Sequence, residues 1–143
     1  MKIYTPIAIA AACSLMLILC SGAAQAETNE DGATAISKGD YAQASTIFRA
    51  LADKGDALAQ FNLGAMYSNG QGTAKDFQEA MKWYRLAAAQ GHAGAQSSLG
   101  YMYYLGQGVA QDNVRAHMWF SLATTKGSGI AKKLRDKIAA LMS

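Results

Sequence analysis

Two histidines, two cysteines and ten acidic side chains are the groups in this 143-residue sequence that could bind a metal or move a proton. His92 falls in a glycine-flanked turn and His117 within a helical stretch. Neither stands at metal-ligand spacing from a second histidine or a cysteine, so a structural or solvated role is expected of both. No Gly-x-Ser-x-Gly occurs, so a nucleophile elbow has no support, and Gly127-Ser128-Gly129 reads as a turn between helices. The Gly-x-Gly pairs Gly70-Gln71-Gly72 and Gly106-Gln107-Gly108 lack the third glycine and the preceding strand of a dinucleotide site. Asp76 and Asp112 stand where helices begin and read as caps, not as an acid–base pair. No catalytic residue, metal ligand or cofactor site is assigned.

The elements that would position such groups are helical. Proline is confined to Pro6, as a largely helical chain requires. Residues 1–26 read as a secretory leader: Lys2, an apolar stretch from Ile7 to Leu19, then Ala24-Gln25-Ala26 in the small-x-small form cut by a signal peptidase. Cleavage after Ala26 would remove both Cys13 and Cys20, leaving no disulfide for the oxidising space outside. A second reading makes Cys20 a lipid-anchor site, although Leu19 stands where that processing prefers a small residue. Export to the periplasm or the medium is expected either way, with no integral membrane segment after processing. The net charge of +3 singles out neither nucleic acid nor membrane, and no nucleic-acid motif is present.

The strongest pattern is an internal repeat. A shift of 36 residues carries Leu63-Gly64 onto Leu99-Gly100 and Tyr67 onto Tyr103. It also carries Gly70 and Gly72 onto Gly106 and Gly108, Asp76 onto Asp112, Ala80 onto Ala116, Trp83 onto Trp119 and Gly91 onto Gly127. Each block reads as two helices. Ala59, Leu63 and Tyr67 recur at i, i+4, i+8 along the first. Gly64 lets a neighbouring helix approach, and Gly70 and Gly72 supply a turn of positive φ. Asp76 caps the second helix with Glu79 in the capping-box position, and Ala80, Trp83, Tyr84, Ala87 and Ala88 form its buried face before Gly91 closes it.

The pattern weakens at both ends. Asp40 to Gln43 repeats the capping box, and Ala44, Ile47, Phe48 and Leu51 form the face of a second helix, with Asp31 to Lys38 available for a short first one. At the far end Ile130, Leu134, Ile138 and Leu141 form one stripe, as expected of a helix that packs on one side only. The expected organisation is a leader (1–26), an N-terminal capping half-repeat (27–56), two repeats (57–92 and 93–128) and a C-terminal capping helix (129–143).

These residues resemble the Sel-one-like repeat, a relative of the tetratricopeptide repeat. The pattern of that family reads here as Ala59, Leu63, Gly64, Tyr67, Gly70, Gly72, Asp76, Ala80, Trp83, Tyr84, Ala87, Ala88 and Gly91. The second copy has Phe120 for the tyrosine and Thr124 for the second alanine. The resemblance implies an all-α fold, a right-handed α-solenoid of tandem antiparallel helix pairs, and service as an adaptor that binds a protein or peptide. Some secreted members staple each repeat with cysteines and are linked to β-lactam hydrolysis; a mature chain without cysteine departs from them. A small envelope hydrolase and a structural subunit of an envelope complex remain as alternatives. With only two full repeats, the flanking helices must complete the array or the chain pairs with itself.

In arrays of this kind the first helices line the concave surface. Carried over, the inward positions are Leu58, Phe61, Ala65, Ser68 and Asn69 in the first repeat, and Gly94, Ser97, Tyr101, Tyr104 and Leu105 in the second. Phe61, Tyr101, Tyr104 and Leu105 would form an aromatic and apolar patch for a partner, or else pack between repeats. Lys126, Lys132, Lys133, Arg135 and Lys137 make the last helix basic. They form either a surface for anionic lipid or wall polymer, or a solvated face suited to the helix dipole.

Overall fold

Seven side chains that can accept from a free backbone amide punctuate the chain, and each opens a helix. Thr28, Asp40, Asp56, Asp76, His92, Asp112 and Ser128 each bond a first-turn N–H. In the computed structural model, which describes residues 26–143, they start α1 (Asn29–Ser37), α2 (Tyr41–Asp53), α3 (Ala57–Asn69), α4 (Phe77–Ala89), α5 (Ala93–Leu105), α6 (Asn113–Thr125) and α7 (Gly129–Met142). There is no strand among the described residues. The expected leader as far as Gln25, with Cys13 and Cys20, lies outside them. No helix among the described residues is long and apolar enough to cross a membrane.

The reciprocal capping box is formed at Thr28 and Asp31. At the expected box of α4, Asp76 accepts from the amides of Gln78 and Glu79, while the Glu79 carboxylate turns to Lys82 at 3.4 Å.

Each helix packs on its neighbours in the chain, so α1 to α7 form a row of antiparallel pairs. Within a pair the closest approach falls at one glycine. A Cβ on Gly64 would lie 2.8 Å from the Tyr84 ring, and one on Gly100 would lie 2.9 Å from Phe120. Gly32 makes the same contact with Phe48, at 2.6 Å. The α1–α2 pair is therefore built like the other two. Its glycine stands 32 residues before Gly64, whereas Gly64 and Gly100 stand 36 apart, so its connection is shorter.

The longer connections account for that difference. The Gly-x-Gly loop of each later pair lands on the start of the preceding pair's second helix, Gly72 on the Tyr41 carbonyl and Gly108 on the Phe77 carbonyl. No second helix precedes α1 among the described residues, so its loop has nothing to reach.

The core is continuous across the pairs. One cluster gathers Phe48, Leu63, Met66 and Trp83; the next gathers Tyr84, Leu99, Met102, Tyr103, Phe120 and Ile138; Tyr67 packs against both. Polar ties repeat at each junction. Arg49 donates to the Tyr67 hydroxyl, and Arg85 to that of Tyr103 at 3.1 Å. Buried Gln60 and Gln96 donate to the carbonyls of Ala52 and Ala88, at 3.2 and 3.3 Å.

The last helix departs from expectation. Gly127-Ser128 opens α7 as Gly55-Asp56 opens α3 and Gly91-His92 opens α5, with positive φ at each glycine. Ala131 and Ile138 are buried like Ala95 and Met102 at the equivalent positions. In place of Leu99-Gly100, however, stand Arg135 and Asp136, paired at 2.7 Å. A second helix cannot close on a charged pair as it does on Leu-Gly, so α7 is a first helix with no second helix paired to it among the described residues. The expected stripe is corrected accordingly: Ile138 is buried and Leu134 half-buried, but Ile130 is 73% exposed and Leu141 60% exposed. Both lie on the open side of a first helix, not in a cap's core.

Candidate protein-binding face

Because α3, α5 and α7 enter through equivalent glycine-plus-cap turns, equivalent positions lie on a shared face. Leu58, Asn62, Ala65 and Asn69 form its stripe on α3, and Gly94, Ser98, Tyr101 and Leu105 on α5. On α7 the stripe is Ile130, Leu134, Lys137 and Leu141. The spacing is that of a single helix face. Tyr101 is 46% exposed and Leu105 47%; Leu58 is similarly open. Asn69 is exposed and Ser97 half-buried.

The two remaining candidates do more packing. Phe61 stacks on His92, centroids 4.6 Å apart, and tilts toward Tyr84 at 5.9 Å. Its ring would lie 3.2 Å from a Cβ on Gly94, so that glycine makes room for it. Phe61 thus joins α3 to α5, and its neighbours are core residues. Tyr104 also packs on that core and meets Tyr101 edge-on, at 6.4 Å. The patch expected from the sequence therefore divides: Phe61 and most of Tyr104 hold the repeats together, while Leu58, Tyr101 and Leu105 stand free.

The histidines take structural positions. His92 Nδ1 accepts from the Ala95 amide at 3.2 Å and so caps α5, where α3 uses Asp56. That bond requires the neutral imidazole, and burial lowers its pKa. At Asp56 the Ala59 amide and then the Asn29 side chain, bonds of 2.7 and 3.0 Å, hold the carboxyl below its ordinary pKa. His117 is half-buried on α6. Among the described residues no three His, Cys, Asp or Glu side chains gather as metal ligands.

A second exposed apolar line runs along α6 through Val114, Met118 and Leu122. The equivalent positions on α4 are Gln78, Lys82 and Leu86, so this line belongs to one helix and does not recur.

Sequence reasoning missed two parts of this face, Ile130 and Leu141. The signal lay in the turn before α7: Gly127-Ser128 follows the 36-residue shift from Gly91-His92, which marks α7 as a third first helix.

A row of antiparallel helix pairs with a glycine at each closest approach defines the α-solenoid class related to tetratricopeptide arrays. The family model described as Sel1 repeat matches residues 57–92 and 93–128, half of the chain, and the chain belongs to that family. Among solved structures it is similar to c5321, a protective antigen of uropathogenic Escherichia coli strains that displays an SLR fold. The two are 36% identical over 80% of this chain, with a TM-score of 0.77. It is also similar to a Sel1 repeat protein from Oxalobacter formigenes, 30% identical over 76% of this chain, with a TM-score of 0.71. The matched region spans 26% of the first protein and 43% of the second. No curated protein matches.

Proposed function

We propose that this chain is an exported adaptor that takes a peptide or protein partner on the face of its first helices, the concave side of the array. The observation that carries the reading is the alignment of Tyr101, Leu105, Ile130 and Leu141 in one register on two successive first helices, all open to solvent. None is required there by the core, which is filled by Leu99, Met102, Tyr103 and Ile138. Exposed apolar side chains repeated in register on a small protein are costly in water and commonly mark a docking surface. Sel1 repeats generally mediate protein–protein interaction, which supports the same reading. Export rests on the leader pattern of residues 1–26.

The test is a binding comparison between residues 27–143 and the same chain carrying Tyr101→Ala and Leu105→Ala, with equal helicity checked by circular dichroism. The expected result is a partner from envelope extract that the first retains and the second loses. Retention by both would remove the first-helix face as the site.

A further inference from the structure

The open face carries a charge asymmetry that the fold does not require. Neither α3 nor α5 contains an ionised side chain. Most acids of the neighbouring elements are engaged elsewhere: Asp40, Asp76 and Asp112 cap second helices, Asp56 is bonded at the start of α3 and Glu79 pairs with Lys82, while Asp53 is exposed at the end of α2. On α7 the register puts Lys133 where the other first helices have Phe61 and Ser97, and Lys137 where they have Ala65 and Tyr101. The acid of α7, Asp136, occupies the glycine position and is paired with Arg135. Within the stripes α3 and α5 are therefore neutral and α7 carries Lys137, with Lys133 beside it in the Phe61 register, while the acid Glu30 stands on α1 at the register of Asn62.

The helix dipole does not account for this. A macrodipole favours cations in the last turn of a helix, and Lys133 lies in the first half of Gly129–Met142. Core packing does not account for it either, since both lysines are exposed.

We propose that the partner segment is acidic: a peptide carrying carboxylates together with at least one large apolar side chain, seated across α5 and α7. Its apolar side chains rest on Tyr101, Leu105 and Leu141 and, about 16 Å away along α7, on Ile130, and its carboxylates meet Lys133 and Lys137. The apolar surface supplies affinity, and the lysines select sign and orientation. This rests on the first-helix face being the binding surface.

The experiment uses the processed protein and two fluorescent peptides, one alternating glutamate with leucine and one alternating glutamine with leucine, read by anisotropy. The glutamate peptide binds more tightly, and its advantage shrinks as salt is raised. Lys133→Gln with Lys137→Gln weakens it by roughly threefold to tenfold, as the loss of two exposed ion pairs would, and leaves the glutamine peptide unchanged. Equal binding of the two peptides, or indifference to the lysine changes, overturns the acidic preference and leaves the face itself standing. If Tyr101→Ala with Leu105→Ala weakens neither peptide, or neither peptide binds, the underlying reading falls too. Retention on phosphatidylglycerol vesicles that the lysine changes abolish, with the glutamate peptide unbound, assigns the charge to a lipid surface and overturns the proposal.

Discussion

At Gly108 the backbone sits at φ 70°, and a methyl group would lie 2.8 Å from the Phe77 carbonyl oxygen. Two penalties coincide there, a left-handed conformation and a clash with backbone that cannot swing away. Gly127 shares only the first, with φ 88° and nothing within 4 Å. Gly108→Ala is expected to cost about 3 kcal/mol and Gly127→Ala about 1 kcal/mol, compared by urea unfolding. Equal costs would mean that the Gly-x-Gly loop does not dock on α4.

His92 makes a pH prediction of definite sign. Burial holds its folded-state pKa below the ordinary value of 6.5, so the unfolded chain binds the extra proton first. The contribution of this cap is fully present above about pH 6.5 and is lost as pH falls through the folded-state pKa. His92→Asp, which copies the cap of α3, moves that loss down into the carboxylate range, below the ordinary 3.8 of an aspartate held as Asp56 is. Thermal midpoints of the two proteins across this range check it; parallel curves would show that His92 does not cap α5 in solution.

At the scale of elements, the two full helix pairs were legible because most residues that shape them recur at one shift. Leu63-Gly64, the Gly-x-Gly turns, Asp76 and Trp83 each have a geometric duty, and each is doubled. The first pair was harder to read. Its shorter connection breaks the shift, so Gly32 shows its equivalence to Gly64 only when Phe48 is seen against it. On α7 the difficulty was different. Ile130, Leu134, Ile138 and Leu141 have helical spacing, and periodicity alone does not distinguish a stripe that packs from one that is offered to a partner. Packing decides: Ala131 and Ile138 are buried and Leu134 rests partly on the same core, whereas Ile130 and Leu141 are exposed. Ile138→Ala is accordingly expected to cost roughly 2–4 kcal/mol, whereas Ile130→Ala and Leu141→Ala should each cost less than about 0.5 kcal/mol. Similar costs at all three positions would restore the four-residue core stripe. The junction ties belong to the same scale: Tyr103→Phe removes the acceptor of Arg85 and should cost about 1 kcal/mol in the same assay.

At the scale of the molecule, the described chain is two full repeats between a shortened pair and a lone first helix. Stability in such an array is close to a sum of neighbour interfaces. The short loop of α1–α2 and the Arg135–Asp136 pair are where the described helices depart from the repeat. What remains open on the first helices is concentrated at α5 and α7, and it joins aromatic and aliphatic surface to lysine. The candidate site was half legible in the sequence. Tyr101 and Leu105 were named from the register of the repeat, but Phe61 proved to be a joint between repeats, a role that only its stacking on His92 reveals. The most direct test of the binding face is site-specific photo-crosslinking, with a benzophenone side chain placed at position 101 on α5 or, as a comparison, at position 118 on the outer line of α6. Partner adducts are expected from position 101 and none from position 118. Adducts from position 118 alone would contradict this and move the binding surface to the second helices.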